Sequence, residues 1–254
     1  MKKIDPKWYR NIWTLEIKNQ SWVEDTENQV DFIVKTLELC GKEKVLDLAC
    51  GFGRHALAFA HRGFSVVGVD ITKEYIDDAA REAKSASLDI EFVNEDIREL
   101  NYQNEFDVVL NLADGAIGYL ENDGENLKIF DVIAKALKPG GKHLMDICSA
   151  EHAEIFFPKR HWEIGSNTLS LPEFDWDREN RRMLFSDWGI EFGKIAKKPD
   201  SIEPISSTRL YSIAELKEIL ETRQMEIISA FSDYYGREAS YKELQLMVYS
   251  RKMN

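Results

Sequence analysis

From Val45 onward, short apolar runs alternate with longer stretches of helical periodicity. Val45-Leu-Asp-Leu48, Ser65-Val-Val-Gly-Val69, Ile90-Glu-Phe-Val93 and Phe106-Asp-Val-Val-Leu110 read as strands, and a fifth runs from Lys142 to Ile147 after the turn Lys138-Pro-Gly-Gly141. An alanine-rich segment follows Gly53, and a second helix is expected from Asn122 to Leu137. Strands alternating with helices at this spacing predict an α/β fold, a parallel sheet covered on both faces.

The flanks read differently. Residues 7–39 carry Trp8, Ile12, Leu15 and then Val30, Ile33, Val34, Leu37 near helical spacing, with a break around Asn19 to Ser21. Asp25 or Thr26 is placed to cap the second of these helices. Trp8 and Trp13 read as packing on the core, while Tyr9 and Trp22 suit either packing or a lid. Further along, His161–Leu171 and Arg182–Phe192 alternate apolar and polar residues around turn-forming Asp175–Asn180, which predicts a small antiparallel sheet over the strand ends. Pro199, Pro204 and Ser206-Ser207 mark a loop before Thr208–Ser212, a short strand entering a helix with a Ser212/Glu215 capping box. Met225–Ser232 and Leu244–Tyr249 make a terminal strand pair. The expected organisation is a core of residues 1–158 and 208–254 with an N-terminal helical lid, and an inserted antiparallel β cover at 159–207.

Charge narrows the partners. The chain has 45 acidic and 33 basic side chains, a formal net charge of -12, which disfavours a phosphate backbone as ligand. No apolar run approaches the ~20 residues of a membrane helix, and Met1-Lys-Lys-Ile-Asp-Pro6 lacks a signal peptide's apolar centre. Cys40, Cys50 and Cys148 show no paired spacing and read as reduced thiols in a cytoplasmic protein; modification of Cys50 is the weaker reading. His55, His61, His143, His152 and His161 show no metal-ligand spacing on one element, so no metal is expected, and His143, inside a strand, reads as structural. No Gly-x-Ser-x-Gly elbow or P-loop lysine is present.

The chemistry concentrates at the strand ends. In Asp47-Leu-Ala-Cys-Gly-Phe-Gly53, Gly51 and Gly53 let a ligand approach the backbone closely. Asp70 ends the second strand about 20 positions after Gly51, a spacing suited to a carboxylate that holds a ribose. Asp47 then separates two nucleoside cofactors. It would repel the pyrophosphate of a dinucleotide, whereas S-adenosylmethionine (SAM) brings a positive ammonium and sulfonium. The bland alternative is that Asp47 caps the turn. Asp47, Asp70, Asp96 and Asn111 all fall at carboxyl ends of strands, the rim where such sheets bind ligands.

Taken in order, these segments resemble the class I SAM-dependent methyltransferases. Asp47–Gly53 is similar to the family's acidic Gly-rich first motif, Val67-Gly-Val-Asp70 to the second, Glu95-Asp96-Ile97 to the third and Phe106–Asn111 to the fourth, with Leu137-Lys-Pro-Gly-Gly141 before the fifth strand. Ala49 departs from the family's glycine there, tolerable if its φ stays negative. The resemblance implies a Rossmann-like, seven-stranded, mostly parallel sheet with a C-terminal antiparallel strand, plus the small antiparallel insertion. It implies SAM as cofactor. Gly51 and Gly53 would line methionine and sugar, Asp70 would take the ribose hydroxyls, Asp96 the adenine amino group, and Ile97 a backbone contact and an apolar face. Ala49 and Ile71 complete the cofactor set, Asp47 would act near the ammonium, and Asn111 would lie where the methyl group points.

For the acceptor, the loop Asn111–Tyr119 would form the pocket floor with Tyr119 nearby. Arg209 and Tyr211 share one strand face; Arg209 suits an acceptor carboxylate, although on an acidic protein an ordinary surface ion pair is the favoured reading. Trp162, Trp176 and Trp188 suit an aromatic cage or simple filling of the cover. The resulting expectation is methyl transfer by in-line displacement to the N or O of a small molecule, with no membrane and no nucleic acid as partner. A tRNA or protein methyltransferase, an NAD-dependent oxidoreductase and a non-catalytic SAM-binding module remain as alternatives.

Overall fold

The computed structural model describes residues 4–12, 14–19, 23–164, 167–197 and 200–254. Met1, Lys2, Lys3, Trp13, Ser21, Trp22 and Pro199, named above, lie outside the described residues. In chain order, α1 (Thr26–Thr36), β1 (Lys44–Leu48), α2 (Arg54–His61), β2 (Ser65–Asp70), α3 (Lys73–Ser85) and β3 (Ile90–Asn94) are followed by β4 (Phe106–Asn111), α4 (Asp123–Ala136) and β5 (Leu137–Cys148). After α5 (Ala150–Phe156) come the short strands β6 (Lys159–Arg160), β7 (Glu163–Ile164), β8 (Thr168–Ser170), β9 (Glu173–Asp177), β10 (Arg182–Ser186), β11 (Gly189–Glu191) and β12 (Ser206–Arg209). The chain then closes with α6 (Ile213–Glu221), β13 (Met225–Phe231) and β14 (Gln245–Lys252).

The main sheet is seven-stranded, in the order β13-β14-β5-β4-β1-β2-β3. Pairs β1–β2, β1–β4, β2–β3 and β4–β5 are parallel, and only β14 runs antiparallel to its neighbours β5 and β13. Alternation along each strand sorts side chains to the two faces. Leu46, Val67 and Val109 join Phe130 and Ile133 of α4 on one side; Val45, Val66 and Val108 join Ile33 and Phe59 from α1 and α2 on the other. With apolar layers on both faces, the central strands must read as near-continuous apolar runs, as they do.

Side-chain caps fix several helix starts. Asn122 accepts from the backbone N–H of Gly124 at 2.8 Å, and Ser149 from that of His152 at 3.3 Å. The Ser212/Glu215 capping box forms with both reciprocal bonds; such a cap contributes about 1 kcal/mol. The cap expected for α1 does not form. Asp25 sits at its N-cap with φ -87° and ψ 7°, not extended, and its carboxylate instead accepts from Asn28 Nδ2 at 2.6 Å; the Thr26 hydroxyl donates to the Val23 carbonyl at 2.6 Å.

Two further expectations need correction. The first part of residues 7–39 is not an α-helix: Trp8–Arg10 and Leu15–Asn19 are short 3-10 turns. Segments so short do not sustain an α-helix on their own, and burial of Trp8 holds the first turn instead. Residues 175–177, read as a turn, lie inside β9 and pair with β10 from Leu184↔Asp175 to Arg182↔Asp177. Buried Trp176 packs with Phe157, Met183 and Leu210, and that tertiary gain overrides local turn preference. The cover is two sheets, β12-β10-β9-β6 and β11-β8-β7, so the strand at Ser206–Arg209 belongs to it.

Candidate functional site

The loop after β1 is built by its hydrogen bonds to β2. The Cys50 N–H donates to the Val69 carbonyl at 3.0 Å, and the Gly51 N–H donates to Asp70 Oδ2 at 2.9 Å. This tight path forces positive φ: Ala49 adopts +55°, contrary to the negative value expected of it, followed by Gly51 at +57° and Gly53 at +77°. The two bonds, worth about 1 kcal/mol each, offset the left-handed cost at an alanine, also about 1–2 kcal/mol. A Cβ at Gly53 would meet Ala79 Cβ and Phe92 Cε1 at 2.9 Å, so this glycine permits close helix packing under the loop.

Three carboxylates stand around that loop in different electrostatic conditions. Asp47, 2 % exposed, is pushed up to about 7 by burial and by neighbouring Asp70, while Arg54 opposes the shift. Among the described residues its Oδ2 has no hydrogen-bond partner. Asp70 is also raised by burial, although the N–H groups of Gly51 and Thr72 (2.7 Å to Oδ1) hold its charge. Asp96 is half-buried; burial raises it, but hydrogen bonds from Arg98 (Nη2 to Oδ2 2.6 Å, backbone N to Oδ1 3.1 Å) prevail and hold it below its ordinary value.

These residues border one cavity of about 1020 Å³ at the carboxyl ends of the parallel strands. Asp47, Ala49, Gly51, Asp70, Ile71, Asp96, Ile97 and Tyr119 line it. Gly53 and Asn111 do not. Asn111 lies fully buried beneath the following loop, where Nδ2 donates to the Gly115 carbonyl at 3.1 Å. The N-terminal segment closes one side through Tyr9, Ile12, Thr14 and Ile17, and the Tyr75 hydroxyl ties it down by donating to the Thr14 carbonyl at 3.0 Å. Trp8, 4.7 Å from the Tyr119 ring centroid, is buried against it.

The opposite wall is the loop after β4, expected as the pocket floor, together with Asp146, Cys148, Tyr234 and Gln245, which the sequence reading did not place there. After β4, Ala113, Asp114, Gly115 and Ala116 have successive φ values of +52°, +68°, +51° and +60°. Such a left-handed run, mostly of non-glycine residues, is costly and marks a segment held by its surroundings. The Asp114 N–H donates to the Asp146 carbonyl at 2.8 Å, and the Tyr119 hydroxyl hydrogen-bonds the Asp114 carboxylate. Burial and the Asp146 charge push Asp114 up to about 6. Asp146, at the end of β5, accepts from the Tyr234 hydroxyl at 2.9 Å and Gln245 Nε2 at 3.0 Å. Asp114, Asp146, Cys148, Tyr234 and Gln245 all line the cavity. The available signal was Asp146 itself, a carboxylate at the end of a parallel strand like Asp47 and Asp70.

Arg209 and Tyr211 are not on the cavity wall. The Arg209 side chain is buried, ion-paired to Glu215 (2.6 Å) and Asp123 (3.4 Å), with its guanidinium carbon 4.6 Å from the Tyr211 ring centroid. It braces the cover instead of meeting an acceptor. Nor do the tryptophans form a cage: Trp176 is buried with its Nε1 donating to Glu154 at 2.6 Å, Trp162 is largely exposed, and neither they nor Trp188 reach the cavity. Among the described residues of the cover, only Phe185 lines it. Buried Arg182, also unforeseen, joins cover to loop by donating to the carbonyls of Leu120 (3.1 Å) and Ser207 (2.7 Å). His143 Nδ1 is 3.0 Å from Ser250 Oγ inside the sheet, away from the cavity.

A Gly-rich loop, three carboxylates on one rim and a deep cavity at the strand ends define an α/β protein that binds a nucleoside-type ligand. The model of the methyltransferase domain family matches residues 45–141. YqeM of Bacillus subtilis is 27% identical over 217 residues, spanning 83% of this chain and 85% of that one. Among solved structures, the CcbJ methyltransferase from Streptomyces caelestis superposes with TM-score 0.80 at 16% identity, covering 98% of this chain and 100% of that one. A S-adenosylmethionine-dependent methyltransferase from Clostridium acetobutylicum gives TM-score 0.76 at 17% identity, with 94% and 97% covered. The chain has the fold of the class I SAM-dependent methyltransferases, and residues 45–141 match the methyltransferase domain.

Proposed function

We propose that this protein transfers the methyl group of SAM to the nitrogen or oxygen of a small molecule by in-line displacement, in the cytoplasm. The observation that carries the reading is Asp47: a buried carboxylate on the cavity wall whose Oδ2 lacks a partner among the described residues. A buried carboxylate oxygen without a partner is costly, and a ligand ammonium beside it offsets that cost. A pyrophosphate there would raise it, which disfavours the NAD-dependent alternative.

The donor set fits SAM in its other parts. Gly51 and Ala49 leave the backbone open to the methionine and sugar. Asp70 keeps lone pairs beyond the two it shares with Gly51 and Thr72, enough to accept from ribose hydroxyls. Asp96, kept ionised by Arg98, accepts from an adenine amino group, and Ile71 and Ile97 supply apolar contact. When bound, SAM supplies an electrophilic methyl group. The chain's own part is to orient the acceptor and keep water out, for which Tyr9, Ile12 and Ile17 act as the lid. A net charge of -12 favours a small molecule over tRNA, and the three free thiols suit a reducing compartment.

Incubation of the purified protein with SAM and the small-metabolite fraction of a cell extract tests this. Formation of S-adenosylhomocysteine and a methylated metabolite is expected. Turnover with only the RNA or protein fraction would overturn the small-molecule assignment.

A further inference from the structure

The half of the cavity away from the Gly-rich loop carries a second group of acids whose arrangement needs explanation. Asp114 and Asp146 come from the ends of adjacent strands β4 and β5 and are bound backbone to backbone at 2.8 Å. Their carboxylates share the cavity wall, and the charge of Asp146 acts against ionisation of Asp114. The groups acting on Asp114 are the Tyr119 hydroxyl, the Cys148 thiol (Sγ to Oδ1 3.7 Å) and Asp146, so its partners are neutral donors and a like charge. Arg54 acts on Asp146 and leaves the pair acidic as a whole.

Like-charged carboxylates facing one enclosed space are unfavourable unless a proton or a cation joins them. Around them stand the rings of Tyr9, Tyr119 and Tyr234, whose faces also favour a cation. An acceptor bearing a carboxylate or phosphate would add a third negative charge. A neutral alcohol would leave the repulsion in place. The left-handed run from Ala113 to Ala116 aims Asp114 at this space at a backbone cost, and such strain persists where the surroundings enforce it.

We propose that the methyl acceptor is a small amine that enters as its ammonium ion between Asp114 and Asp146, and that Asp114 takes the proton the nitrogen must lose before it is methylated. The inference rests on the methyltransferase reading above. The N–H electron pair stays on nitrogen as the proton passes to Asp114. A nitrogen–carbon bond then forms as the sulfur–carbon bond breaks, its electron pair remaining on the neutral thioether of S-adenosylhomocysteine. The product leaves as a methylated ammonium, and Asp114 releases its proton to solvent. Tyr119 holds Asp114 by its hydrogen bond and is a positioning residue.

Calorimetric titration of the full chain saturated with S-adenosylhomocysteine, using benzylamine, benzyl alcohol and benzoate as matched probes, tests the proposal. Benzylamine is expected to bind about tenfold more tightly than benzyl alcohol, the worth of one charge-assisted hydrogen bond. Asp114→Asn is expected to remove that preference while its affinity for S-adenosylhomocysteine stays within about threefold, since Asp114 lies outside the cofactor's donor set. Equal or tighter binding of the alcohol or benzoate, no binding of any probe, or an unchanged preference in Asp114→Asn would overturn it and leave the cofactor reading standing. Failure of S-adenosylhomocysteine itself to bind would instead overturn the methyltransferase reading, and this inference with it.

Discussion

The backbone N–H of Gly51 donates to the Asp70 carboxylate at 2.9 Å, joining the loop after β1 to the end of β2. One carboxylate thus shapes the Gly-rich loop and faces the cavity beside it. The other oxygen accepts from Thr72 at the start of α3, so the orientation of Asp70 is fixed before any ligand arrives. Pre-set acceptors of this kind lose little freedom on binding.

With Asp47 beside the SAM ammonium, as proposed, SAM affinity is expected to depend on pH. The Asp47 carboxyl is pushed up to about 7, first by burial. An ammonium favours the ionised form, so binding below that value must expel a proton. Affinity measured by calorimetry is expected to rise from pH 6 to pH 8 by up to about tenfold per pH unit on the acid side, then level off. Asp47→Asn is expected to flatten this slope and to bind weakly throughout. A slope retained in the variant would assign the proton to another group.

Asp114 makes a different, stability-linked contribution. Burial and Asp146 raise it from 3.8 to about 6 in the folded protein, with Cys148 and Tyr119 as its other neighbours. The folded state therefore holds this proton more tightly than the unfolded chain, and stability is lost as pH rises from about 4 to about 6. Asp114→Asn does not titrate. Its melting temperature relative to the parent protein is expected to climb over that interval, equivalent to up to about 3 kcal/mol. A difference that stays constant with pH would contradict the assignment.

Gly118 links the loop after β4 to the cover. Its carbonyl accepts the Arg209 N–H at 2.8 Å, its φ is +84°, and a Cβ there would stand 2.0 Å from the Arg209 carbonyl oxygen. Gly118→Ala is expected to cost about 1–3 kcal/mol in thermal unfolding, from overlap with backbone that cannot rotate away. Gly41→Ala, with φ +87° but nothing within 4 Å of a Cβ, separates strain from overlap and should cost less.

The sheet was legible because its signal is local. Runs such as Val45–Leu48 and Phe106–Leu110 must be apolar on both faces, and the intervening helices must carry an apolar stripe. The placement of Asp47, Asp70 and Asp96 on one rim was legible for the same reason: each lies at or just past the carboxyl end of a strand. Asp114 and Asp146 meet only because β4 and β5 are neighbours in the sheet, a tertiary fact that neither segment states alone. Arg209 stayed open between an acceptor and an ion pair because an arginine on a returning strand looks the same whether it faces a ligand or Glu215; the ion pair, the favoured reading, is what forms. The strands of the cover are short, and two-residue β6 and β7 hold no periodicity to read. Ala49 took its left-handed turn because bonds to β2 outweighed its own preference.

Asp70 and the Gly51 loop are proposed to hold SAM. Calorimetric titration of the parent protein and of Asp70→Ala with SAM, and of the parent with NADH, tests this most directly. One saturable SAM site, no NADH binding, and affinity lower by about tenfold or more in Asp70→Ala, which loses acceptors for both the ribose and the loop, are the expected results. Unchanged SAM affinity in Asp70→Ala, or NADH binding in place of SAM, would contradict that proposal.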